Sequence, residues 1–456
     1  MKRLPAGVLP FVGIVLGCLT CMGEESKSKL MQFFEQDYLL GNWGGYRTKL
    51  AERGVDFEFV YFGAVPSNVG GGIKQGSVYE GAFLMTLDLD SDKLANYHGG
   101  HLHAGGLSIH NGAAFSQNYI GDLNVVSLLD FPDSLRLWEL WYEQKFLQDK
   151  VSLKVGQLAL DRDFIVPEYY NTLAGITLLN QTFFYPTLAF NVWDIPGLPP
   201  GFHGLASTPY GAPGARLRVD PTDRFYVQAG VYDGFPDRSR SGTRINLNSD
   251  EGALIYFETG YRLNGRKGDS GLPGSYKLGG FYHTDDFLDL YDTIGGMFGF
   301  SSGTQPAHHG NYGAYLLAEQ TLYREKGPED PAQQGLVAFL RAEGAPSDRN
   351  LTQFGVDGGV VYKGLIPSRD WDTIAVAYSY LQMSRDLRRA QQDADNVLPG
   401  FFPAIADYEA VVELSYKAQM TAWWTLQPSI QRVFHPGGSS AIPDAWAVLV
   451  MTSLRF

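Results

Sequence analysis

From Val55 to Phe456 the chain repeatedly alternates apolar and polar residues with a period of two, and this constrains its fold most. In VDFEFVY, residues Val55, Phe57, Phe59 and Tyr61 share one face. Phe83, Met85, Leu87 and Leu89 do so in FLMTLDLD, as do Phe225, Val227, Ala229 and Val231 in RFYVQAGVY. Successive side chains of a strand point to opposite sides of a sheet, so each segment is a strand with one apolar face. The criterion predicts strands at 55–63, 78–90, 101–110, 135–147, 150–159, 213–220, 224–232, 252–263, 275–285, 311–322, 334–344, 351–363, 373–384, 408–419, 422–433 and 445–456. Their connections alternate in length. Segments such as 111–134, 160–212 and 385–407 are long, 345–350 is the exception, and those between them are as short as 148–149 and 420–421. Long loops at one rim and tight turns at the other describe an antiparallel barrel with lipid outside and water inside. A soluble sandwich would instead carry charge on its outward faces, and no repeat of the length needed for a propeller or solenoid is visible. The expected fold is therefore all-β: a transmembrane antiparallel β-barrel of about 16 strands with a short N-terminal helical segment.

The ends fit this frame. MKRLPAGVLPFVGIVLGCLTCMG has a basic start, an apolar stretch and small residues near its end, so residues 1–23 read as a cleaved signal peptide. Val15 to Cys18 loosely resembles a lipoprotein box, which makes lipidation of Cys18 the alternative. Both cysteines lie in this stretch, so the mature chain is expected to hold itself together without disulfides. Residues 24–54 form a polar periplasmic segment whose GYRTKLAERG reads as a short helix ended by Gly54. Residues 55–456 form the barrel. In the last strand Trp446, Val448, Val450, Thr452, Leu454 and Phe456 share the lipid face. Trp446 and Phe456 lie roughly 33 Å apart along a strand, or about 25 Å across the membrane when tilted, so they are candidate girdle residues.

Other classes are disfavoured. A net charge of −13 without basic runs argues against nucleic acid. Past the N-terminus no apolar run is long enough for a spanning helix. His101 and His103 in HLH have metal-like spacing but no apparent third ligand, so neither a metal nor a cofactor is expected. GGGIKQGS lacks P-loop spacing, and no nucleophile elbow is present, so no enzyme is expected.

Strand parity supplies lumen candidates. Leu217 and Val219 should face lipid, leaving Arg216 and Arg218 inside. Trp138, Leu140 and Tyr142 should face lipid, leaving Glu139, Trp141, Glu143 and Lys145 inside. Lys154, Arg341 and Glu343 follow by the same count, and Asp161, Arg162 and Asp163 open the longest connection, 160–212. That connection is rich in aromatics, including Phe164, Tyr169, Tyr170, Phe183, Phe184, Tyr185 and Trp193, which suits a packed inward loop. The charges either ring a constriction or pair across the wall and brace it. Arg216, Arg218, Trp141 and Arg162 are the preferred solute contacts.

GNWGGYRTKLAERGVDF, residues 41–57, resembles the G-x-W-G-G-x-R-x-x-L-x-x-x-G-x-x-F opening of the OprB-type carbohydrate-selective porins through Gly41, Trp43, Gly44, Gly45, Arg47, Leu50, Gly54 and Phe57. PGARLRVDPTDRFYVQAGVYDG, KLGGFYHT and LQPSIQRVFHPGG are similar to later parts of that family. The resemblance implies a sixteen-stranded barrel of the bacterial outer membrane that passes small sugars by diffusion, with its third long loop narrowing the lumen. A terminal Phe456 resembles the signal read by barrel-assembly machinery. Alternatives are a general or differently selective porin, an outer-membrane barrel enzyme and a secreted sugar-binding protein. Oligomeric state is not legible, because lipid-facing and protomer-facing apolar residues look alike.

Overall fold

The computed structural model describes residues 31–112, 114–170, 175–185, 207–244, 252–266, 269–301, 307–327 and 330–456. The signal-peptide assignment, Cys18 and Trp193 lie outside the described residues.

Sixteen strands form the wall: β1 (Val55–Gly70), β2 (Glu80–Asp90), β3 (Gly100–His110), β4 (Ser134–Phe146), β5 (Val151–Leu158), β6 (Ala212–Thr222), β7 (Phe225–Asp233), β8 (Ala253–Leu263), β9 (Gly274–Leu288), β10 (Ala307–Arg324), β11 (Gly335–Gly344), β12 (Thr352–Lys363), β13 (Thr373–Met383), β14 (Tyr408–Thr421), β15 (Trp424–Phe434) and β16 (Ala445–Arg455). A two-residue piece, Gly76–Ser77, adds a short pairing to β1. Each strand runs antiparallel to its neighbours, and β16 pairs with β1 from Val60↔Arg455 to Gly70↔Trp446. Closure satisfies every strand's backbone inside the sheet, which lipid requires.

Side-chain parity follows the expected alternation. In β16, Trp446 and Val450 are exposed on the outside, while Ala447, Leu449 and Met451 are buried within. Two expectations need correction. β1 was expected to end at residue 63 but runs to Gly70, because β16 offers partners for Ala64 to Asn68. Trp138 was expected to face lipid, yet it is 3% exposed. Glu139 pairs with Gly105 and Leu137 with Gly106, leaving Trp138 as the extra residue of a bulge, which turns its ring inward.

Helices occupy several connections. α1 (Tyr46–Glu52) precedes β1, α2 (Ser91–Ala95) fills the turn after β2, and α3 (Leu290–Phe298) and α4 (Arg385–Val397) pack on one another at the long-loop rim. Asp90, Asp289 and Ser384 cap α2, α3 and α4 with their side-chain oxygens. α1 stops at Gly54, whose φ of +84° and approach to the Asp90 carbonyl leave no room for a Cβ.

The N-terminal segment locks the closing seam. The Arg47 Nη1 donates to the Phe456 carbonyl oxygen and Nη2 to that of Phe57, both at 2.6 Å. One guanidinium thus ties the last residue of the wall to the first strand. Tyr38 covers it at 3.5 Å, and Leu39 N donates to Arg455 O at 2.8 Å. Arg47 is 6% exposed, so its bonds form away from competing water. Arg47→Ala orphans both carbonyls and should cost about 2–4 kcal/mol. The expected outcome is a lower temperature for loss of the folded, fast-migrating band in a heated SDS-gel series; an unchanged temperature removes Arg47 from the seam.

Candidate functional site

Described parts of two long connections lie against the inner wall: 111–112 and 114–133 after β3, and 159–170, 175–185 and 207–211 after β5. Both leave backbone amides with no ladder partner, and such amides need acceptors when buried. Four inward glutamates of the wall supply them. Glu258 on β8 accepts Ile165 N at 2.9 Å. Glu319 on β10 accepts Glu168 N at 2.9 Å, Tyr169 N at 2.8 Å and Tyr170 N at 3.2 Å. Glu413 on β14 accepts Leu179 N at 2.7 Å and Asn180 N at 2.9 Å. Glu409, one turn of the pleat away, accepts Asn124 N at 2.7 Å, and Leu123 N and Gly437 N at 2.8 Å. All four side chains lie at 0–1% exposure. A carboxylate offers only acceptors, and its bonds to amides are charge-assisted.

Apolar packing surrounds these anchors. Phe164 and Ile165 sit among Tyr232, Tyr256 and Tyr315 of the wall. Tyr170 stacks on Phe339 with centroids 3.7 Å apart. Phe115, Ile120 and Val126 pack against Ala445, Ala447 and Leu449. The inward face is therefore partly apolar where loops cover it. The core of this barrel lies between wall and loops.

Eight of the ten lumen candidates meet along β4, β5, β6 and the start of the long loop. Lys154 Nζ lies 2.6 Å from Asp163, and Arg216 bridges Glu143 at 2.7 Å and Asp163 at 3.4 Å. Arg162 lies 3.8 Å from Glu139, and Trp141 Nε1 donates to Glu139 at 3.3 Å. Trp141 is engaged on its ring by His103, stacked at 4.8 Å, and by the Lys154 ammonium at 4.4 Å. Asp161 accepts Thr208 N and Oγ1, both at 2.7 Å, closing the long loop on itself. Burial raises Asp161 above the usual carboxylate range. Burial would do the same to Asp163, but Lys154 and then Arg216 overcome it and hold that carboxyl low.

The remaining two separate from this cluster. Arg218 pairs with Asp220 at 2.8 Å and lies over Tyr226 at 3.9 Å. Arg341 sits across the barrel at 0% exposure, clamping Asp357 of β12 and the Thr182 carbonyl of the long loop. Side-chain exposure sorts the set. Lys154, Asp163 and Arg216 stay below 10%, whereas Arg162 reaches 34% and Arg218 22%. His101 and His103 both point at one oxygen of Asp88, at 2.8 Å, and no group of three metal-type ligands occurs among the described residues.

The four anchoring glutamates escaped sequence reading. Inward parity marks Glu258 between Tyr256 and Gly260, but nothing local says that its partner is Ile165. Glu319→Ala and Glu413→Ala each strand two or three buried amides, at about 1–3 kcal/mol per amide. The expected result in planar bilayers is a larger, noisier single-channel conductance in both variants. Wild-type conductance in both would show that the loop holds its place without them.

The carbohydrate-selective porin model of the OprB family matches residues 74–456. Porin B of Pseudomonas aeruginosa is 25% identical over 94% of this chain and 95% of its own length. The putative porin QuiX of Acinetobacter baylyi is 24% identical over 93% of this chain and 94% of its own. The structure of Pseudomonas putida OprB at high pH superposes with a TM-score of 0.77 at 23% identity, covering 92% of this chain and 99% of that one. A barrel wall of sixteen strands, loops anchored inside it and a family match over most of the chain agree: this protein belongs to the OprB family of carbohydrate-selective porins of the outer membrane.

Proposed function

We propose that this chain admits small neutral sugars by passive diffusion, through the space the anchored loop leaves beside the wall, and performs no chemistry on them. The observation that carries this reading is the partial exposure of Arg162, at the edge of the ion-paired cluster, and of Arg218, apart from it and paired with Asp220. Diffusion selectivity needs groups that replace a solute's water without holding it. Fixed guanidinium donors whose carboxylates are already satisfied offer sugar hydroxyls hydrogen bonds of that strength. Glu143, at 15% exposure, adds an acceptor at the edge of the same cluster.

Within this reading Lys154, Asp161, Asp163, Glu139 and Arg216 set the shape of the constriction, and Arg341 holds the loop from the far wall. Trp141 belongs with them, since His103 and Lys154 already occupy its ring. Residues 1–23 direct export, Phe456 addresses the assembly machinery, and Trp446 and Phe456 serve as girdle residues; these belong to the same proposal. Arg162→Ala combined with Arg218→Ala should change sugar flux in a liposome-swelling assay by about two- to tenfold, the effect of one or two exposed hydrogen bonds. In the wild type, sugars should permeate faster than amino acids of similar size. Equal rates for sugars, amino acids and anions would overturn the selectivity.

A further inference from the structure

Below the anchored loop, at the short-turn rim, lies a cavity of about 1050 Å³. One lateral row of the wall crosses it. Arg324 pairs with Gly335, Gly335 with Lys363, Lys363 with Thr373 and Thr373 with Lys417. Directly paired residues face the same side of a sheet, and all five line the cavity. The row therefore sets three cations on alternate strands, about 10 Å from one to the next. Glycine and threonine between them leave the approach clear.

Among the described residues these cations are incompletely compensated. Among the described residues none of the three forms an ion pair. The carboxylates on the cavity wall are committed elsewhere: Glu168 to Arg262 at 3.0 Å and Lys277 at 3.2 Å, and Asp269 to Arg224 at 3.4 Å. Asp330, which caps its own turn by accepting Ala332 N and Gln334 N, attracts Lys363 without forming an ion pair with it. Lys363 rests 4.6 Å from the ring of Trp371, which stabilises a cation without neutralising it. Three partly buried cations without an ion pair among the described residues, in a chain of net charge −13, mark a path for anions.

A second observation narrows the anion. Gln334, on the same wall, is 3% exposed and its Oε1 has no hydrogen-bond partner. A bare acceptor repels a carboxylate and attracts a hydroxyl. The cavity thus presents ammonium and guanidinium donors, one waiting acceptor, and the aromatic faces of Tyr169 and Trp371.

We propose that this periplasmic vestibule is a weak binding station for polyhydroxylated carboxylates, that is, sugar acids, which the cation row attracts through the carboxylate and Gln334 recognises through a hydroxyl. This rests on the sugar-diffusion reading and extends its substrate class to the acidic derivatives.

The test is current block in planar bilayers holding the full-length protein in 0.1 M KCl, with D-gluconate, D-glucose or acetate added on the short-turn side. Gluconate should block at lower concentration than acetate, and more weakly in 1 M KCl, where the Debye length falls to about 3 Å. In Lys363→Gln/Lys417→Gln the ratio of the gluconate to the glucose half-blocking concentration should rise about tenfold, and Lys363→Arg/Lys417→Arg should restore it to within about twofold. Arg324→Gln carries the same comparison, with about a threefold rise, should the double variant fail to insert. An unchanged ratio in the glutamine variants overturns the proposal. Acetate block as strong as gluconate block also overturns it, since an unspecific anion site would remain. The glucose arm is separate: no glucose block in the wild type would overturn the sugar-diffusion reading, and the gluconate half-blocking concentration by itself, about tenfold higher in the glutamine variants or unchanged, then decides the vestibule.

Discussion

A buried carboxylate accepting main-chain amides is the interaction on which this channel depends. The wall of a closed barrel can form from alternation alone. A constriction cannot, because it requires irregular backbone to cross the interior with its amides satisfied. Glu258, Glu319, Glu409 and Glu413 solve that problem from three strands of the wall, each taking between one and three loop amides. The bonds define where the loop stops, and the aromatic contacts of Phe164, Tyr170 and Phe183 fill what lies between the stops. The described loop segments are thus held against the wall by a few charge-assisted hydrogen bonds.

The same logic governs how the interior charges compensate one another. Lys154, Arg216, Glu143 and Asp163 compensate one another at the point where the long loop leaves β5. Unpaired, any of them would carry a desolvation penalty of several kcal/mol. Paired, they stay buried beside Arg162, which remains partly in water. The contrast with the row of Arg324, Lys363 and Lys417 is one of compensation: among the described residues, none of those three cations forms an ion pair.

Much of this was legible in the sequence. The sixteen strands follow from period two, and most boundaries lie within two or three residues of those expected. Parity also assigned Arg216, Arg218, Glu143 and Lys154 to the inside. It failed at Trp138, where paired glycines Gly105 and Gly106 admit a bulge that a count by twos cannot register. Parity also gives side without depth, so Arg341 and Arg216 looked like lumen residues although loops bury them. The glutamate anchors stayed hidden for a different reason. Glu258 and Ile165 are 93 residues apart, and Glu413 and Leu179 are 234 apart, and one partner in each pair is backbone, which carries no residue-type signal.

Amide hydrogen exchange of the intact, detergent-solubilised protein addresses the central claim most directly. If buried carboxylates hold the loop, the amides of Ile165, Tyr169, Leu179 and Asn180 exchange as slowly as strand amides in the wall, although they belong to no sheet. Exchange of these four at the rate of an exposed loop, beside protected strands, would contradict the account.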